Sequence, residues 1–270
     1  MPGIQKKYQI GVRKFGLINW VGVYNLYVKE VYRFFNVWVQ TLFSPLISSL
    51  LFLSIISLAI GNERGEVLGF PFISFLAPGL IAMSIIQQSF AHSSTSLMIG
   101  KIQGIIIDTL LATLSAAEVT LAITLAAVTR SIIITIISIF VFSLIIELHI
   151  YSVLYIFIFA FLGSFILGSL GIIAGLWAEK FDHMATVTNF IITPLSFLSG
   201  GFYSIDRLPD FFQSISQFNP FFYMIDGFRY GFLGVSDGSI NHGLIYLTIL
   251  AVVMWLISYY LYKIGYKIKS

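Results

Sequence analysis

Long stretches without a charged residue constrain this chain more than any other feature. No residue from Phe34 to Asn62 is charged, and the same holds from Val67 to Gly100. Because a helix rises about 1.5 Å per residue, ~20 apolar residues cross the ~30 Å hydrocarbon core of a bilayer. Only 10% of all residues are charged and 58% are apolar, against roughly 25% charged in soluble domains. The chain is therefore predicted to be a polytopic membrane protein.

Apolar stretches of sufficient length recur along the whole sequence. We expect an all-α fold with one transmembrane domain over residues 1–270 and spans at about 37–60, 71–99, 119–146, 151–178, 184–204 and 244–262. The segment 200–234 is also apolar, but Pro209, Pro220 and five charged residues prevent it from spanning as one helix. It is predicted to form two short re-entrant helices before the last span.

The distribution of basic residues predicts the orientation. Six spans put both termini on one side, and that side receives eleven of the fifteen basic residues, namely Lys6, Lys7, Arg13, Lys14, Lys29, Arg33, Lys101, Lys180, Lys263, Lys267 and Lys269. Cytoplasmic loops carry such an excess of Lys and Arg. We expect both termini in the cytoplasm, no cleaved signal peptide, and a multi-pass location in a cell membrane, in bacteria the inner membrane.

An amphipathic helix is predicted over residues 18–36, within a cytoplasmic or interfacial segment 1–36. Charged and polar residues recur on one face, and its candidate functional residues are Lys29, Glu30 and Arg33. The pattern is typical of a helix in the inner interface with Trp and Tyr at headgroup depth. It favours a membrane anchor, and contact with a cytoplasmic partner is the alternative.

Uncharged polar residues recur at helical spacing on three spans. These stripes are candidates for a substrate pathway, since a polar face does not look at lipid, although hydrogen bonding between helices explains them equally well. The candidate residues are Gln40, Ser44, Gln88, His92, Asn189 and Thr193. Arg130 is the one charge within a predicted span, and it is expected to reach the cytoplasmic headgroups by snorkelling.

Signatures of ATP and metal binding are missing from the sequence. The Gly100-Lys101 pair lacks the first glycine and the hydroxyl residue of a phosphate-binding loop, because Thr95 and Ile102 occupy those positions. The four histidines show no metal-ligand spacing. We expect no metal or cofactor in this chain, no catalytic residue and no nucleic-acid partner.

One region carries a family resemblance. The motifs are Phe197-Leu-Ser-Gly-Gly-Phe-Tyr-Ser204, Leu208-Pro209, Asn219-Pro-Phe-Phe-Tyr223 and Arg229 to Gly234. They resemble the ABC-2 type permeases, the membrane subunits of ATP-binding-cassette exporters. The resemblance implies functional residues in the re-entrant segment at Gly200, Gly201, Tyr203, Pro209, Asn219, Pro220, Tyr223, Arg229 and Gly234.

The resemblance also implies a contact surface for an ATPase. The loop 102–111 is similar to the family's cytoplasmic coupling helix, although Leu114 stands where proline is expected. Together with the short turn 179–182, this loop supplies the implied coupling residues Lys101, Gln103, Asp108, Leu110, Leu111, Glu179, Lys180 and Asp182.

The implied function is export of a drug, lipid, glycolipid or polysaccharide. Two ATPase subunits would bind ATP and Mg, a second permease copy would complete the transporter, and lipids would surround it. The E-A-A loop of import permeases is missing from the sequence. A self-sufficient secondary transporter or channel is the alternative, although it would favour intramembrane ionisable sites and breaks in both halves of the chain. A membrane-integral transferase would need a clustered acidic metal site.

Overall fold

The computed structural model describes residues 18–60 and 65–268. The basic residues Lys6, Lys7, Arg13, Lys14, Arg64 and Lys269, which entered the orientation argument, lie outside the described residues. The α-helices in chain order are α1 (Trp20–Phe35), α2 (Ser44–Ile60), α3 (Phe72–Ile102), α4 (Ile106–Leu111), α5 (Ala116–Ser143), α6 (Val153–Trp177), α7 (Phe181–Val187), α8 (Thr193–Phe197), α9 (Asp210–Phe218), α10 (Pro220–Leu233) and α11 (Ile240–Lys263).

Shorter elements connect these helices. Two π-helical segments, Val39–Phe43 and Thr188–Ile192, lead into α2 and α8. A two-residue hairpin, β1 (Glu66–Val67) with β2 (Phe70–Pro71), precedes α3, and a 3₁₀ turn, Ile205–Arg207, precedes α9.

Five helical stretches within the described residues are long and apolar enough to cross a membrane. They run over Val39–Ala59, Phe72–Ile102, Ala116–Ser143, Val153–Trp177 and Ile240–Lys263. Their bounds agree with five of the six predicted spans to within a few residues. The polytopic helical class predicted from the charge-free stretches is confirmed.

The predicted fifth span has a different form. Helix α7, the second π-helical segment and α8 form one helical run, residues 181–197, which we call the fifth run. The prediction extended this helix to residue 204, but it ends at Phe197. Gly200 follows with φ of 72°, a left-handed conformation that glycine adopts without the steric cost of a side chain.

Helix α1, which is predicted to lie in the inner interface, packs along α5. The amide of Asn19 donates to Glu118 at the start of α5 (2.6 Å), and the Tyr27 hydroxyl lies 2.8 Å from that of Thr129. Farther along, Phe34 shares a small core cluster with Ile134. Residues farther along α1 contact residues farther along α5. Helix α1 therefore runs lengthwise beside the first half of α5 and does not cross it.

Helices α3 and α6 form the centre of the bundle. A Cβ atom at Gly171 would lie 2.6 Å from the Phe90 carbonyl oxygen, and one at Gly175 would lie 2.9 Å from that of Ser94. Glycine therefore permits direct backbone contact between the two helices, as small residues do at helix interfaces in membranes. Helix α10 packs against the beginning of α6 with Gly227 against the ring of Phe159 and Gly231 against the backbone of Ile156.

Candidate functional site

The predicted coupling helix exposes apolar residues. It begins after a turn at Gly104, and Ile106 anchors it in a core cluster with residues of α1, α3 and α5. Farther along the helix Leu110 is 43% exposed and Leu111 is 78% exposed, and Asp108 is exposed as well. Helix α4 is thus held to the bundle by the buried Ile106 and leaves Leu110 and Leu111 exposed.

Lys101 lies behind this surface. Its ammonium group donates to the carbonyl oxygens of Leu176 (2.8 Å) and Ala178 (2.6 Å), so it caps the end of α6. Cations at a helix C-terminus satisfy its free carbonyl groups and its dipole. Gln103, which ends α3, is exposed. Lys101 therefore joins the end of α3, just before the 102–111 loop, to the end of α6, just before the 179–182 turn.

The 179–182 turn lies at the same end of the bundle. Glu179 accepts a hydrogen bond from Lys267 at 2.8 Å, and the hydrogen bond and charge of Lys267 hold the pKa of Glu179 below its ordinary value. Lys180 and Asp182 are exposed. The predicted coupling residues are therefore brought to one end of the molecule, with Lys101 in a capping position.

Sequence reasoning missed Glu118. Its carboxylate accepts hydrogen bonds from the backbone amides of Asn19 and Ser115, both at 2.6 Å. Ser115 accepts in return from the Glu118 amide, which completes a capping box at the start of α5. The Ser-x-x-Glu spacing is the sequence signal for this motif. One buried side chain thus ties the start of α1 to the loop that carries α4.

The charged face of α1 is turned partly into the protein. Glu30 is buried and accepts hydrogen bonds from Arg33 (2.9 Å) and from Ser96 of α3 (2.8 Å). Arg33 also donates to the carbonyl oxygen of His92 (2.9 Å), while Lys29 is exposed. The contact with α3 explains why α1 stands against the bundle.

The polar stripe of the second span lies inside the protomer. His92 is fully buried, with its Nε2 atom 3.8 Å from Glu30, and it contributes no surface to a pathway in this conformation. Ser84 contacts Ser49 of α2 at 3.0 Å, and Gln88 accepts a hydrogen bond from Arg130. Ser84 and Gln88 thus hydrogen-bond to neighbouring helices and remain half-buried, whereas His92 is enclosed.

Arg130 does not snorkel to the headgroups as expected. Its residue is only 6% exposed, and it donates to Gln88 and to the carbonyl oxygen of Thr41 (3.3 Å). That carbonyl is available because Pro45, four residues later, has no amide hydrogen. The expectation was wrong because a neighbouring helix supplies the acceptor that the sequence cannot show.

The stripes of the first span and the fifth run face away from the protomer. Gln40 and Ser44 are exposed and line an open groove of about 600 Å³ together with Trp38 and Phe43. In the fifth run Asn189 is exposed and Thr193 is half-buried. Each stripe coincides with a π-helical segment, a feature that is frequent at functional sites.

The two short helices predicted before the last span are present as α9 and α10. Pro209 and Pro220 stand at their starts, and Gly234 ends α10 with φ of 70°. Asn219 caps α10 through the Phe221 amide and donates to Ser199 (2.8 Å), which follows α8.

Aromatic and charged residues connect this region to the bundle. Tyr203 donates to the Phe197 carbonyl oxygen (3.3 Å), and the ring of Tyr223 packs on that of Tyr246 in α11. Arg229 is buried against the Gly200 and Gly201 carbonyl groups. The structure thus brings the residues of all four family-like motifs to one end of the bundle.

The fold and this arrangement define a multi-pass helical membrane protein of the transport class. The ABC-2 type transporter family matches residues 22–233, and the chain belongs to that family. The Inner membrane transport permease YadH of Escherichia coli (strain K12) is 32% identical over 251 residues, which cover 93% of this chain and 98% of the relative. Nodulation protein J of Sinorhizobium fredii (strain NBRC 101917 / NGR234) is 24% identical over 202 residues, 74% of this chain and 76% of that protein.

Proposed function

We propose that this chain is the permease subunit of an exporter powered by a separate ATPase. The observation that carries the proposal is the outward apolar face of α4, where Leu110 and Leu111 stand exposed on a helix that Ile106 fixes to the core. An exposed apolar patch of this kind marks a partner surface. Membership of the ABC-2 type transporter family makes an ABC ATPase the partner.

The proposed coupling surface is supported by the way its parts are joined. Lys101 connects it to the 179–182 turn, and Glu118 connects it to α1. A displacement of α4 would therefore move α1, α5 and the end of α6 together. ATP and Mg belong to two copies of the ATPase, and this chain acts as a transport subunit without its own ATPase site.

The assembly is proposed to contain a second permease copy. The polar stripes with Gln40, Ser44, Asn189 and Thr193 face away from the protomer, where lipid is a poor environment for them. A homodimer would enclose both stripes between its subunits. We place the substrate pathway there, beside Gln88, and we leave His92 out because it is fully buried.

We propose that the fifth run also crosses the membrane, which brings the number of crossings to six. Lys101, near the inner end of α3, contacts residues 175–178, while Gly79, near the other end, contacts Gly201. The chain between these contacts therefore traverses about 33 Å of α3, at 1.5 Å per residue. Residues 183–205 carry no Asp, Glu, Lys or Arg, which also supports a crossing.

Six crossings would put both termini of the proposed inner-membrane permease on one side, and the excess of basic residues there favours the cytoplasm. The chain has no cysteine, so single-cysteine variants D182C and D206C can be labelled without background. In intact cells an impermeant maleimide should label D206C and spare D182C. Labelling of both or neither would contradict the sixth crossing, and an active periplasmic reporter after Ser270 would contradict the C-terminal location.

The substrate is proposed to be a drug, lipid, glycolipid or polysaccharide, since permeases with these motifs move such molecules. The coupling proposal is tested with the permease reconstituted with its ATPase, comparing wild type with L110D/L111D. We expect loss of substrate-stimulated ATP turnover and of co-purification, because two exposed leucines that would be buried against the ATPase give way to two charges.

A matched control is available on α9. Phe211 and Ile215 are exposed apolar residues on an amphipathic helix at the opposite end, and F211D/I215D should co-purify with the ATPase as wild type does. Unchanged turnover in L110D/L111D would overturn the coupling assignment. Transport by the permease without any ATPase would support the secondary transporter or channel.

A further inference from the structure

The turn that follows the fifth run lies directly against the backbone of α3. A Cβ atom at Gly79 would lie 2.2 Å from the Gly201 carbonyl oxygen, a distance that no side chain can occupy. Gly200 takes a left-handed conformation that lets the chain reverse there. Glycine on both sides therefore permits a contact that a side chain at Gly79 would displace.

A buried guanidinium group holds this contact. Arg229 is 1% exposed, and its Nη2 atom donates to the carbonyl oxygens of Gly200 (2.5 Å) and Gly201 (3.5 Å). The same group lies 3.8 Å from the centre of the Phe75 ring of α3. Arg229 thus contacts the turn and α3 at once, with charge-assisted hydrogen bonds on one side and an aromatic face on the other.

Asp237 balances the charge of Arg229 and binds the other side of the turn. Its Oδ2 atom is 3.8 Å from Arg229 and accepts a hydrogen bond from the Ile205 amide (3.2 Å), while its Oδ1 atom accepts one from the Ser204 hydroxyl (2.6 Å). Asp226 holds Asp237 in place by accepting from its backbone amide (2.9 Å). We call Gly79, Gly200–Gly201, Arg229 and Asp237 the outer latch.

The middle of the fifth run is buried on one side, by Ile192, and exposed on the other. Phe190 is 77% exposed and Asn189 is exposed, and both lie in the π-helical segment in the middle of the run. Pro194 cannot donate to the Phe190 carbonyl oxygen, which weakens the helix at the same level. The run is therefore fixed at its outer end and has a weak point below it.

We infer that Arg229 is a positioning residue, which holds the outer end of the fifth run closed against α3 through the outer latch. Release of these contacts would free the turn and open the bundle at that end. Only the last step, that this opening serves export, rests on the proposed function. The latch itself is a property of the permease and is measurable without an ATPase.

The test uses the cysteine-free background. The reporter is F202C, a half-buried position beside the latch whose ring packs on Phe52 and Phe197. The permease is reconstituted in vesicles and labelled with an impermeant maleimide. Adding R229Q should raise the labelling rate about tenfold, because glutamine cannot replace the charged bonds to the turn. R229K should give an intermediate rate, since an ammonium group can still reach one carbonyl oxygen.

R207Q is the matched control, because Arg207 is an exposed arginine in the turn that follows the latch. Its labelling rate should equal that of the reporter alone. A rate for folded R229Q equal to that of R207Q would overturn the inference.

A second variant decides the question if R229Q does not fold. G79A changes no charge, yet its methyl group would push the Gly201 carbonyl away from α3. It should also raise the labelling of F202C. An unchanged rate in folded G79A would overturn the outer latch independently of Arg229.

Discussion

Two buried arginines, at different levels of the bundle, are held in contrasting ways. Arg229 has the Asp237 carboxylate, two carbonyl oxygens and the Phe75 ring around its guanidinium group. Arg130 has only the uncharged acceptors Gln88 and Thr41, and no described carboxylate lies within 4 Å of it. Both cations are removed from water, but only one of them is neutralised locally.

The difference bears on what each residue contributes. Removing one partner of a buried ion pair leaves a charge without compensation and costs about 3–5 kcal/mol, whereas an apolar residue can replace an isolated buried charge at little cost. Arg229 is therefore expected to maintain the fold. Arg130 has no such carboxylate partner among the described residues, so its removal is expected to cost little stability.

The largest effect is expected for R229M. The Asp237 carboxylate would be left buried without its cation, so stability should fall by about 3–5 kcal/mol. The midpoint of thermal unfolding in detergent measures this loss. A midpoint equal to that of wild type would show that Asp237 is solvated or paired elsewhere. It would then contradict the distinction drawn between Arg229 and Arg130.

A smaller loss is expected for E118A. Glu118 is hydrogen-bonded to two backbone amides without an ion pair, and their loss should cost about 1–2 kcal/mol. The same thermal measurement applies, with E66A as an exposed control. A loss of stability as large as that of R229M would mean that lost hydrogen bonds, and not a lost ion pair, determine the size of both effects.

R130M is expected to change stability by less than about 1 kcal/mol in either direction, because an unpaired cation is exchanged for a side chain of similar length. Thermal unfolding and transport should be measured on the same preparation. Normal stability with impaired transport would assign Arg130 to function. A loss matching R229M would contradict the distinction between the two arginines.

The smallest effect concerns the exposed pair of Glu179 and Lys267. Since Lys267 lowers the pKa of Glu179, the pair contributes stability above the ordinary pKa of a glutamate and loses it as pH falls through the lowered value. Both groups are exposed, so the pH dependence of unfolding in E179Q should differ only slightly from wild type. A large difference at neutral pH would show that this turn is more buried in the assembled protein.

The spans could be predicted because hydrocarbon excludes charged residues, and a stretch without charge can be recognised from consecutive residues alone. The fifth run was predicted with the wrong end, because the left-handed turn at Gly200 is fixed by contacts with α3 and α10 that are distant in sequence. The orientation of α1 depended in the same way on Glu118 and His92.

The residue types also predicted where functional candidates lie better than they predicted what each side chain does. The second-span stripe was recognised as polar, but its periodicity could not distinguish a pathway from hydrogen bonds within one protomer. The motif ending in Gly234 located Arg229, while its contacts with the Gly200–Gly201 turn required the three-dimensional structure.

The most direct test of the central claim is photo-crosslinking from α4 in cells that produce both the permease and its ATPase. A photoreactive residue at Leu111 should yield a covalent adduct with the ATPase, because this side chain is 78% exposed on the proposed coupling surface. The same residue at Phe211, exposed at the other end, should yield none. Adducts of equal intensity from both positions, or none from Leu111 in an active complex, would contradict the assignment of α4 as the contact through which ATP hydrolysis drives this permease.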